Sequence, residues 1–211
     1  MPYGEVKDNQ LVGGIMFDLA QALQKPLGMP VSIVVLPRKR IDRASLAGDI
    51  DLRCYLTPKW TDSPDQFVWT GRLFEMSEVL FGTNTTESVK NLSEVTAGAT
   101  VSTVLGYVYP VLDPFFSSGI LIREDTVDQE KVMRKLSVGR TRYGVSDTLA
   151  LRWYQRNTPQ HQLSAWNVVI SRNDFQCGIP KTGRVAPSRI LVALKELRKS
   201  GQIEEILRKY R

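Results

Sequence analysis

The chain is poor in the residues that build metal and nucleophile sites. It has two cysteines, Cys54 and Cys177, and one histidine, His161. That excludes a zinc site with four Cys/His ligands. A Cys–His nucleophile pair survives the count, but His161 lies in the polar stretch Asn157-Thr158-Pro159-Gln160-His161, which reads as a surface loop. No apolar run reaches the ~18 residues of a membrane-spanning helix. No signal-peptide pattern is visible, since Met1 is followed at once by Pro2-Tyr3-Gly4. Internal repeats and low-complexity stretches are also lacking.

What is present is ordinary globular material: 211 residues, 42% hydrophobic and 24% charged, enough for one large domain or two small ones. The net charge of +6 is confined to one end. Residues 178–211 hold nine Lys/Arg against three Asp/Glu, and the rest of the chain is balanced. The excess falls in a segment that reads as helix, without the basic and aromatic patch that a phosphate backbone requires, so nucleic acid is not an expected partner.

Periodicity predicts alternating helices and strands. Ile15, Leu19, Ala22, Leu23 and Leu27 share one helical face, closed by Gly28 and followed by Pro30. The β-branched run Val31–Leu36 predicts a strand. Pro37–Ala47 predicts a basic helix ending at Gly48, and 51–56 and 78–82 predict short strands. After the polar segment 82–86 a second series begins. It has strands at 99–105, 119–122, 142–145 and 168–170, a helix opened by Gly106-Tyr107, and helices at 129–136 and 147–154. The tail adds a strand at 175–179, a helix at 187–199 and a last helix at 203–210. This alternation predicts an α/β fold with a parallel-rich sheet.

Several stretches carry a family resemblance. They are Pro2-Tyr3-Gly4, Gly14-Ile15-Met16-Phe17-Asp18-Leu19-Ala20, the Leu-x-x-Gly-x-x-Asp-like turn 46–52, the segment from Gly139 to Asp147, and the ending from Lys195 to Ile206. In that order they resemble the bacterial family 3 extracellular solute-binding proteins, receptors of polar amino-acid ABC transporters. The resemblance implies a two-lobed clamshell of the type 2 periplasmic-binding-protein fold. Lobe 1 would be discontinuous, 1–83 plus 174–211, and lobe 2 would be 84–173, with two strands crossing between them. The family opens with a strand ahead of its proline–aromatic loop. Here Met1 alone precedes Pro2, so that strand is expected either to be trimmed from the chain or to come from another segment.

The implied function is to bind a small polar, amino-acid-like solute between the lobes and close on it, for ABC-type uptake. The protein would not be an enzyme, would work as a monomer in the periplasm or outside the cell, and would meet a transporter permease or a receptor. No cofactor or metal is implied. The family's arginine, which grips the ligand carboxylate, corresponds to Trp60 in Thr57-Pro58-Lys59-Trp60. An indole can stack on a ring or hold a cation by its face, or it can pack under a loop. This exchange favours a cationic or aromatic solute. Asp147 matches the acid that holds the ligand ammonium, and it also suits a helix N-cap. Gly106-Tyr107 matches a helix N-terminus that can bind an anion, or an ordinary turn. Tyr3 flanks the cleft. Arg40 and Arg72 are weaker candidates for an anion grip, with Arg53 as a further compensating arginine. Arg40 also reads as part of the solvated basic face with Arg38, Lys39 and Arg43, and Trp69 reads more as core. The family's sheet order sets Cys54 beside Cys177, so an exported protein would hold them as a disulfide and a reduced one as two buried thiols.

Two alternatives share the fold: the outer sensing domain of a membrane receptor, and an enzyme such as a cyclohexadienyl dehydratase. For the enzyme, Asp147 is the one strong acid, and the resemblance sets no second carboxylate beside it. A cytoplasmic regulator would need a helix-turn-helix, and none is legible.

Overall fold

The computed structural model describes residues 2–211. They form two compact units. One is split in sequence, 2–75 with 174–211, and the other is continuous, 76–173. The first border thus lies at 75/76, near the start of a long strand, whereas the polar stretch at that strand's end had suggested 83/84.

The split unit opens with a hairpin, β1 (Glu5–Lys7) and β2 (Gln10–Gly13). Its two-residue turn, Asp8-Asn9, has φ of 49° and 59° at the two positions, the backbone of a type I′ turn. Helix α1 (Ile15–Leu27) spans the predicted residues and buries Ile15, Leu19, Leu23 and Leu27, with Ala22 only half-buried. Gly28 ends it in a left-handed conformation. The predicted strand Val31–Leu36 does not form. Residues 30–37 have no regular structure, and Ile33 and Val34 are exposed. A β-branched run makes a strand only when a neighbour supplies the ladder and the half-buried surface, and no described strand pairs with it.

Helix α2 (Arg38–Leu46) follows, then β3 (Arg53–Leu56) and β4 (Phe67–Trp69). Strand β5 (Phe74–Thr83) is longer than expected and leads into the continuous unit. There the chain makes β6 (Ala99–Val104), α3 (Asp113–Ser117), β7 (Leu121–Thr126), α4 (Gln129–Ser137), β8 (Tyr143–Asp147) and α5 (Thr148–Asn157). Strand β9 (Leu163–Pro180) merges the two predicted strands 168–170 and 175–179 and returns the chain to the split unit. The tail is α6 (Pro187–Lys199) and α7 (Gln202–Arg208).

In the split unit β3 and β4 both pair antiparallel with β9. Its buried helical sides include Leu19 and Leu23 of α1, Leu194 and Leu197 of α6, and Ile206 and Leu207 of α7, and these three helices contact one another. In the continuous unit the sheet order is β9-β5-β8-β6-β7, with β6 parallel to both β7 and β8. One core gathers Leu80, Val101, Leu112, Leu121, Tyr143 and Val145. Elsewhere α4 approaches β8 so closely that a Cβ on Gly144 would meet the Phe81 ring at 3.1 Å and Leu136 at 3.3 Å. Among the described residues no helix is long and apolar enough to cross a membrane.

Candidate ligand-binding site

Residues expected at the site lie in both units. In the split unit, two backbone N–H groups at the start of α1 donate to the chain just before it, Ile15 to the Pro2 carbonyl at 2.7 Å and Met16 to the Tyr3 carbonyl at 2.9 Å. These bonds satisfy helix-start donors that would otherwise lack a partner, and they fix Tyr3. The Tyr3 ring lies 4.3 Å from Tyr55, tilted by 51°. Tyr55 is the bulged residue of β3: the register with β9 shifts between Cys54 and Leu56, and its φ is 60°. A left-handed conformation costs a bulky residue ~1–2 kcal/mol, so the surrounding packing holds it there. The Tyr55 ring also lies 6.0 Å from Trp60 and 5.5 Å from the buried Phe175. Trp60 ends a single 3-10 turn, Pro58–Trp60, and its N–H donates to the carbonyl of the buried Thr57 at 3.0 Å.

Cys54 and Cys177 are register partners on β3 and β9 and form a disulfide across 123 residues of sequence. Thr70 clamps the same position, accepting from the Cys177 N–H at 3.0 Å and donating its own N–H to the Cys177 carbonyl at 3.1 Å. Arg53 points into an ion pair with Asp42, which also meets Arg38 at 3.3 Å. Arg72 is exposed and lies 3.8 Å from Asp174. Arg40 is exposed on α2. Trp69 donates its indole N–H to the Pro64 carbonyl at 3.1 Å and lies 5.6 Å from Phe67, so it packs under its own loop.

In the continuous unit Asp147 is 2% exposed and caps α5. One carboxylate oxygen accepts from the Ala150 N–H at 2.9 Å and the other from the Gln129 side-chain amide at 3.0 Å. Directly opposite on β5 is Glu78, 8% exposed, which accepts hydrogen bonds from the Ser171 hydroxyl and, at 3.5 Å, from the Asn173 amide. Burial pushes the Glu78 carboxyl above the ordinary carboxylate range. The Ser171 bond opposes this, and the charge of Asp147 adds to it. The sequence reading had set no second carboxylate beside Asp147, and Glu78 corrects that.

Gly106-Tyr107 does not open a helix. Gly106 has φ of 78° in a turn, the Tyr107 N–H donates to the Val104 carbonyl at 3.1 Å, and the next helix starts at Asp113. The turn is held from below. Arg123 donates to the Tyr107 carbonyl at 3.0 Å, and the Tyr109 hydroxyl accepts from the Val104 N–H at 3.1 Å. Burial drives the Tyr109 pKa upward, far outside the physiological range. The helix N-terminus expected at these two residues is therefore replaced by a turn.

No family model and no curated protein matches the sequence. Solved structures do. An ancestral arginine-binding protein bound to arginine superposes with a TM-score of 0.82 at 21% identity, covering 99% of this chain and 92% of that one. The fold is that of the two-lobed periplasmic binding proteins. A histidine kinase sensor domain with similarity to periplasmic binding proteins matches with a TM-score of 0.78 at 18% identity, over 99% of this chain and 90% of that one. An ancestral amino acid-binding protein, a precursor of cyclohexadienyl dehydratase, gives a TM-score of 0.78 at 17% identity with the same coverage of both chains.

Within this periplasmic-binding-protein fold, Tyr3 and Trp60 come together around Tyr55, which sequence reasoning missed. Its signal was faint, one aromatic residue in a four-residue strand. Glu78 was the more legible omission, a single charge among the buried residues Met76, Val79, Leu80 and Phe81. Asp147 serves as the helix cap foreseen for it, whereas Trp69, read as core, is only half-buried beneath its own loop.

Proposed function

We propose that the chain binds a small, amino-acid-like solute, cationic or aromatic, in a cleft between the two units, which act as lobes 1 and 2 and close on it. The observation that carries this reading is a chain path in which β5 and β9 each run from one α/β unit into the other, in a fold shared with amino-acid-binding proteins. Asp147 is the anchor for the ligand's ammonium. Its carboxylate accepts from the Ala150 N–H and the Gln129 amide, which fix its orientation. Tyr3, Thr57 and Trp60 meet the solute from the split unit, Tyr107 supplies a ring wall from the continuous one, and Arg40 or Arg72 meets a carboxylate. Switching between mostly open and mostly closed requires ~5 kcal/mol of differential affinity. The closed shape is read by a transporter permease, or by a receptor's own membrane segment, outside the cytoplasm, where the disulfide persists. The protein acts as a monomer.

The second reading is an enzyme on this fold, and Glu78 is what favours it. A carboxyl raised above its ordinary value and facing a second carboxyl is the pairing that proton transfer uses. A thermal-shift screen over amino acids, amines and aromatic acids separates the two. A true ligand at a hundred times its Kd adds ~2.7 kcal/mol and raises Tm. No rise with any solute, together with turnover of prephenate or arogenate, would replace the binding reading with the enzyme.

A further inference from the structure

Helix α2 carries a surface that neither its own packing nor the proposed cleft uses. Lys39, Arg43 and Leu46 recur at helical spacing and share one exposed face, with Arg40 and Ala47 beside them, while the buried Ser45 lies on the other side. The carboxylate of this helix, Asp42, is taken up by Arg38 and Arg53. The end of α2 packs against the loop 181–185, where the Thr182 hydroxyl donates to the Ser45 carbonyl at 3.1 Å. That loop adds the exposed Lys181 and Arg184, part of the charge excess at the end of the chain. Of the neighbouring acids, Asp51 accepts from the Val185 N–H at 2.8 Å and Asp49 is exposed. Among the described residues no ion pair takes up Lys39, Arg43, Lys181 or Arg184, so positive charge prevails here.

The second observation is apolar. Leu46 is 39% exposed on the basic face itself, and the irregular segment leading into the helix exposes Ile33 at 36% and Val34 at 58%. An acidic protein surface would satisfy the charges and leave the aliphatic groups in water. A layer of anionic headgroups over acyl chains satisfies both, because cations stay at the headgroups while aliphatic side chains enter the boundary below. We infer that α2, with residues 33–34 and the loop 181–184, docks the split unit on an anionic lipid surface. Lys39, Arg43, Lys181 and Arg184 meet the phosphodiester groups, and Val34 and Leu46 enter the boundary. The inference does not depend on which solute the protein binds.

The test floats the full chain with vesicles of phosphatidylcholine containing about one third phosphatidylglycerol, and with vesicles of phosphatidylcholine alone. Binding to the anionic vesicles that weakens as salt rises is expected, with little binding to the neutral ones. K39Q/R43Q, which leaves Arg40 in place, should lose about tenfold or more in affinity. K195Q/K199Q removes the same charge from exposed positions of α6 and should bind as the parent does. V34S should lose severalfold. All five positions are exposed, and Tm checks that each variant folds. Equal binding to both kinds of vesicle, or none to the anionic kind, would overturn the docking face. Equal losses in the two double variants would also overturn it, since net charge alone would then account for the binding. Undiminished binding by V34S would replace the lipid surface with an acidic protein partner.

Discussion

The two units are built on opposite plans. The continuous unit closes on neighbours: β6, β7 and β8 are joined in order through α3 and α4, and its sheet fills with residues from one stretch of chain. The split unit closes on strangers. Strands β3 and β4 find β9 more than a hundred residues later, and α1 meets α6 and α7 from the far end of the chain. Bringing distant segments together costs loop-closure entropy before any contact forms. The disulfide lies where that cost falls, on the β3–β9 pair. The continuous unit needs no such bond, and it carries instead a buried acid pair, Glu78 with Asp147, at the ladder where β5 meets β8. Covalent closure sustains one unit, and local pairing sustains the other despite an electrostatic burden.

The contrast can be broken by removing each device. The largest effect is expected from the disulfide. Replacing Cys54 and Cys177 together with alanine should lower stability by about 3–5 kcal/mol in denaturant titrations, since the bond closes a loop of more than a hundred residues. Hydrogen exchange should then rise first over 2–75 and 174–211 and later over 76–173. An even rise over both units would contradict the contrast.

A smaller effect is expected at Glu78. Its folded pKa lies above the ordinary 4.5, so the folded chain holds this proton more tightly than the unfolded one. Its contribution to stability is whole below the unfolded value and is lost as pH rises through the folded value. Glutamine cannot ionise. E78Q should therefore gain on the parent protein as pH climbs from 4.5 toward neutrality and keep a constant lead thereafter, measured by Tm against pH. Parallel curves would mean that the Glu78 carboxyl titrates alike in both states.

The same contrast explains what could be read in advance. Helices α1 and α6 were legible because their apolar faces repeat every three to four residues and glycines follow their ends. Asp147 was legible as a cap because a short acid before a helix is a local signal. The failures are all matters of partnership. Val31–Leu36 has strand chemistry without a described partner. Gly106 has the glycine of a helix start, but Tyr109 and Arg123 hold the segment as a turn. Strand β9 read as two pieces because its alternation is broken where it passes from one unit into the other. The conformation of Tyr55 follows from a bulge against β9, which sequence spacing does not encode. The hairpin could have been found, since Asp-Asn suits two successive left-handed residues, but its strands are too short and exposed to give an apolar pattern.

Ligand-driven closure is tested most directly by small-angle X-ray scattering with and without a saturating concentration of the solute most active in the thermal screen. A smaller radius of gyration on saturation, abolished in D147N, is the expected result. An unchanged radius at saturation, or an undiminished contraction in D147N, would contradict it.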